Sequence, residues 1–293
     1  MRTAAPGNEG PATLVESPRM TFEELAALPD ARIDVATGAV LIARDAYPHV
    51  DVVRLLATLE DMAAPLRASH LATAEPEEQA RQLSQHLYGS LGFRGNESDY
   101  YDPKNSFLPD VLDRKLGIPI TLALVYCEVA RRAGIRARGV SFPGHFLVRV
   151  DEGDRDDSPR IVDPFSGGRL LNPVELQALL ARAAPSQKLA PAEHLAVATA
   201  RATLVRMLIN LKWVYMTRGD LARALLALDR IILLLPDSQT ALRERGLLAA
   251  RLGSVEAARA DLSRLLELDP EGPDAESIRQ QLAALRSKGS VLN

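Results

Sequence analysis

His145 and Asp163 are the residues of this 293-residue chain whose types and spacing best suit chemistry. His145 follows Gly144 and opens the run HFLVRV, and Asp163 closes the run IVD. Both runs read as strands, and pairing of adjacent strands can bring the two side chains together. An imidazole can then take a proton from a nucleophile while the carboxylate fixes its tautomer. The alternative for His145 is a structural histidine satisfied in place. Cys127 is the only thiol. It lies within an apolar helical run, where a small buried residue is the simpler reading. A single Cys excludes an intrachain disulfide and a Cys-rich zinc site, and it points to a reducing compartment.

The elements that must position these residues follow from patterning. Residues 1–19 are rich in Gly, Pro, Ala and Ser and read as a disordered leader. TFEELAALP carries a Thr cap with Glu three residues on, a helix start. One short helix fits within 31–43. Helical spacing recurs over 48–63 and 76–91, before the polar loop GFRGNESDYYDPKNS. Residues 107–115 read as a short helix. Pro119 suits the first turn of the next helix, which stops at Gly134. Strands are expected over 136–141, 145–150 and 160–163, with the acidic stretch EGDRDDSP as a solvated hairpin loop. Helices resume near Pro173.

The C-terminal part repeats itself. Gly219 recurs as Gly253, Ala224 as Ala258 and Pro236 as Pro270, each pair 34 residues apart. Leu221 with Val255, and Leu228 with Leu262, keep the same offset. This helix–turn–helix period is the tetratricopeptide signature. Gly246 takes the small-residue position of the second repeat, where the first has Lys212. Helices near 192–202 and 273–287 are expected to cap the stack. Trp213 and Tyr215 are expected to pack between repeats. The resulting division is a leader over 1–19, a first domain over 20–182, a linker over 183–191 and a repeat domain over 192–293.

Composition narrows the function classes. Hydrophobic residues make up 47% and charged residues 25%, a globular balance. The net charge of −3 opposes general nucleic-acid binding. His49, His70, His86 and His194 lack zinc-protease spacing, and no phosphate-loop motif is present. Gly89, Gly92 and Gly95 read as turn glycines. Arg131, Arg132, Arg136 and Arg138 form a basic cluster near a helix end, read as dipole complementarity and solvation. The longest uncharged stretch near the middle is too short to span a bilayer. No cofactor or metal site is expected, and the default compartment is the cytoplasm.

The segments NSFL, GIPITL, VYCEVARRAGI, PGHFLVRV and DPF together resemble the bacterial SirB family, the second transglutaminase-core type. A tetratricopeptide tail follows in such proteins. The resemblance covers roughly 30–270 and is specific over 105–165. It implies an α+β fold, with a papain-like core of helices plus a small antiparallel sheet followed by an all-α repeat domain. It also implies a link to regulation of gene expression. In that superfamily a Cys at a helix N-terminus precedes the His and Asp. Matching Gly117-Ile118-Pro119 without gaps puts Pro119 at the Cys position, and a slip of two residues puts Thr121 there. Cys127, on the same helix, lies about 9 Å along and about 120° around the axis from Thr121, so it cannot share that site. The match also places Asn105 and Asp102 in the same cleft.

Two functions follow as expectations. The first is a catalytically degenerate transglutaminase-like protein, a regulatory pseudoenzyme that binds a protein or peptide partner through the repeat groove. The second is a hydrolase or acyltransferase of peptide-like amides, using His145 and Asp163 with Thr121 or a water. A DNA regulator is a third reading, opposed by the acidic balance. No membrane partner is expected, and no oligomeric state is read from the sequence.

Overall fold

The computed structural model describes residues 20–152 and 159–289, with side chains to residue 285. The expected leader and most of the acidic hairpin loop lie outside these residues. The expected architecture, an α+β domain followed by helical repeats, is what the chain adopts.

The first half is mainly helical. α1 (Phe22–Ala26) packs on α2 (Val35–Arg44), and α2, α3 (Val52–Ala68), α4 (Pro76–Ser84) and α5 (Leu108–Arg114) pack on α6 (Pro119–Arg132). The Thr21–Glu24 capping box forms as its spacing predicts. α4 continues into one π-helical turn over Gln85–Ser90. α6 is apolar almost all round, and Leu122, Ala123, Tyr126 and Val129 are fully or almost fully buried, so it is the central pillar. It stops where Ile135 N–H reaches back 2.9 Å to the Ala130 carbonyl and Gly134 takes a φ of +79°.

A four-stranded antiparallel sheet follows: β3 (Ala137–Val140), β4 (Leu147–Val150), β5 (Arg160–Asp163) and β6 (Arg169–Leu171), in that order. Val148, Val150 and Val162 join the main core. Val140, Leu147 and Ile161 join a second apolar cluster with Leu176 and Leu180 of α7 (Pro173–Ala183). The strand containing β4 is shorter than patterning predicts. His145 lies before it, in a turn that Gly144 closes at φ +68°. β6 was not expected, because three residues give too little alternation to read. The polar loop also contains β1 (Arg94–Gly95), which pairs in parallel with β2 (Leu116–Gly117).

α8 (Pro191–His194) leads into α9 (Ala200–Thr217), which packs on α10 (Leu221–Leu234), and α11 (Gln239–Arg251) packs on α12 (Val255–Leu268). α13 (Ala275–Gly289) covers the end. The repeat is conformational as well as sequential, since Gly219 and Gly253 have φ of +74° and +82°. Ala224, Ala258, Leu228 and Leu262 are buried at its helix crossings. A Cβ on Gly246 would come within 3.0 Å of Leu262, so the small residue sets the α11–α12 approach. At the first repeat, Lys212 instead reaches Glu244 at 2.5 Å.

One continuous core joins the two parts. Leu204, Leu208 and Leu211 of α9 share the apolar cluster of α2 and α6. Arg201 donates to the carbonyls of Ala26, Leu28 and Leu234 at 3.1, 2.8 and 2.7 Å. Arg230 pairs with Glu23 and Asp45 at 2.7 and 3.0 Å. The segment 184–190 is held down by Gln177, whose side chain bonds Gln187 and Leu189.

Candidate functional site

β4 and β5 are in register at Val148 and Val162, so the turn before β4 faces the end of β5. His145 Nε2 lies 2.8 Å from Asp163 Oδ1, and both side chains are buried or nearly so. Asp163 also accepts from Phe165 N–H at 3.0 Å, Ser166 N–H at 3.2 Å and the Ser166 hydroxyl at 2.7 Å. Burial raises the Asp163 pKa, but the hydrogen bond and charge of His145 and the bonds from Ser166 outweigh it. The carboxyl is held below its ordinary value and stays ionised. A carboxylate only accepts, so this contact assigns the proton to Nε2. Nδ1 is left as the basic nitrogen, and among the described residues it makes no hydrogen bond. Phe165 stands edge-on to the imidazole, 6.3 Å between centroids.

The start of α6 carries Pro119 and Thr121. Pro119 is the first residue of the helix and has no nucleophilic atom. Thr121 is fully buried. Its hydroxyl donates to the Asn105 carbonyl at 2.7 Å and accepts from Ile118 N–H at 3.1 Å. Thr121 is therefore placed as a helix-end tie, and His145 is not among its hydrogen-bond partners. Burial pushes the Cys127 thiol pKa well up, away from thiolate character. Cys127 packs against the main core.

Asn105 is fully buried and holds the polar loop together. It donates to the carbonyls of Asp99 and Tyr100 and accepts from Asn96. Asp102 caps the following turn through Lys104 N–H and pairs with Arg114 at 2.9 Å. Both residues organise the loop beside the site and make no bond to His145. In the basic cluster, Arg131 and Arg132 pair with Glu128, and Arg136 and Arg138 pair with buried Asp151. The cluster is thus two separate ion-paired groups, one on Glu128 and one on Asp151, with Arg131 and Arg136 half exposed.

Trp213 departs from the expected repeat packing. Tyr215 is buried, whereas Trp213 is 51% exposed on the other side of α9. The indole lies 5.1 Å from the Tyr101 ring, and Tyr101 in turn meets Tyr100 at 5.3 Å. Tyr100 meets Phe165 at 5.8 Å. Phe165 presses on the β1 backbone, where a Cβ on Gly95 would come within 2.6 Å of the ring. A row of rings thus runs from His145 to Trp213. Sequence reasoning passed over Tyr100, Tyr101, Phe165 and Ser166. The available signal was a Tyr pair inside an otherwise polar loop.

Residues 54–209 match the family model of the transglutaminase-like superfamily, and 211–283 match that of the tetratricopeptide repeat. A UPF0162 protein of Xylella fastidiosa is 39% identical over 285 residues, covering 91% of this chain and 95% of that one. The chain belongs to the UPF0162 family of transglutaminase-like proteins. A UPF0162 protein of Pseudomonas aeruginosa is 32% identical, covering 85% of this chain and 89% of that one. F-box only protein 21 of Mus musculus is 38% identical over 99 residues, 32% of this chain and 16% of that protein. The transglutaminase-like match runs into α9, the helix that shares the first domain's core. No described helix of this UPF0162 member is long and apolar enough to cross a membrane.

Proposed function

We propose that this UPF0162 protein is a catalytically degenerate transglutaminase-like module that works by binding a protein or peptide partner, in the cytoplasm and in a regulatory role of the SirB kind. The observation that carries this reading is the Thr121 hydroxyl. Its proton is committed to the Asn105 carbonyl, and a Pro stands beside it, so the start of α6 offers His145 nothing to activate. The tetratricopeptide match adds a helical scaffold suited to a partner. Assaying amide and ester turnover with wild type and His145→Ala tests it. Equal background rates support the reading, and a rate lost in the variant overturns it.

One observation favours a second reading. The His145–Asp163 pair is assembled, and Nδ1 is available as a base. A water held there could attack a carbonyl, giving its proton to Nδ1, which would pass it to the leaving amine. His145-dependent amide hydrolysis, with the fold intact, would favour this over pure binding.

A further inference from the structure

An open cavity lined by Ile118, at the start of α6, has a volume of about 140 Å³. Its floor is Ile118 and Ser106, and its walls are Tyr100, Tyr101, Trp213 and Asn210. Ile118 immediately precedes Pro119, so the cavity opens beside the helix end that carries no nucleophile. The space suits one apolar side chain. Half-exposed rings at its rim offer rigid contact faces at low entropic cost.

The charge around the rim is one-sided. α9 contains no Asp or Glu. Arg201 is occupied by backbone carbonyls, and Lys212 pairs with Glu244. Arg206 makes no ion pair or hydrogen bond among the described residues. It lies four residues before Asn210 and seven before Trp213, on the face of α9 that lines the cavity. Arg218 donates to the Tyr101 carbonyl at 3.1 Å and has no carboxylate partner among the described residues. Glu97 and Asp99 stand on the loop side, so the helix side is where a partner carboxylate would be read.

We propose that this cavity and the ring row beside it form the docking site for an extended peptide segment of a partner protein, with an apolar side chain seated in the cavity over Ile118, against the Tyr101 and Trp213 rings, and a flanking Asp or Glu on Arg206. This proposal rests on the interaction reading above and gives that interaction its surface and chemistry. The ring row leads the bound segment past Phe165 toward His145.

The test uses the full chain. A random-peptide display library is selected against the immobilised protein, and the enriched peptides are synthesised and titrated. Trp213 is the only tryptophan, so its emission reports occupancy of this site directly. The expected peptides combine acidic and apolar residues, change the Trp213 emission saturably, and bind about tenfold or more weakly to Tyr101→Ala and to Arg206→Glu. Circular dichroism checks that both variants are folded. Enriched peptides that leave Trp213 unaltered, or that bind both variants as wild type, overturn this site while the interaction reading stands. Absence of any enriched peptide overturns both.

Discussion

The Thr121 hydroxyl lies 2.7 Å from the carbonyl oxygen of Asn105, and this bond ties the start of α6 to the loop before it. A hydroxyl has one proton to give, and here it fastens the central helix to the loop at 96–106. The same oxygen accepts from Ile118 N–H, so the position acts as a clasp. His145 and Asp163 form a separate pair at 2.8 Å, and His145 is not a hydrogen-bond partner of Thr121.

The clasp predicts a stability effect. Thr121→Val leaves the Ile118 N–H and the Asn105 carbonyl buried without their partner. The cost expected is about 1–3 kcal/mol. Thr121→Ser keeps the hydroxyl and should recover most of it. Urea denaturation of the three proteins checks this, and equal midpoints would contradict it.

The His145–Asp163 pair predicts a pH dependence. The folded-state pKa of Asp163 is held below its unfolded value. Its contribution is therefore complete above the unfolded pKa of about 4 and fades as pH falls through the folded value. Asp163→Asn should be less stable than wild type near neutral pH. The gap between the two proteins should narrow on acidification below about pH 4. Unfolding free energies measured along a pH series read this out.

The shared core predicts joint unfolding. Arg201 fixes three carbonyls, including Leu234 of the repeat and Ala26 of the first domain. Arg201→Met strands those carbonyls at the joint and is expected to cost about 2–4 kcal/mol. Wild type should unfold in one calorimetric transition. Two resolved transitions would show that the domains melt separately.

The α11–α12 crossing predicts a graded response at Gly246. Ala there gains about 1 kcal/mol of helix propensity, which offsets the tight contact with Leu262. Leu adds volume that the crossing cannot hold and should cost about 2 kcal/mol or more. Thermal melts of the two variants should therefore diverge.

Much of this was legible in residue order. The 34-residue offset gave α9 to α12, because small residues and turn glycines are required wherever the helices cross. Two short apolar runs, taken with the family resemblance, pointed to His145 beside Asp163, and their side chains lie 2.8 Å apart. The role of Thr121 was not legible, since its partner Asn105 is distant in sequence and approaches only through the fold. The outward face of Trp213 was hidden for a similar reason. Local pattern gives a helix its apolar positions, but Tyr101 comes from a loop whose path no periodicity encodes. Ser166 was missed because a tight turn after a strand carries its bonds in three residues.

The most direct measurement is turnover by the purified full chain of generic amide and ester substrates, with amine incorporation followed in parallel, for wild type, His145→Ala and Asp163→Asn. A binding module without a nucleophile should give the same background rate in all three. A wild-type rate that disappears in both variants, with their folds intact, would contradict the account and make the His145–Asp163 pair catalytic.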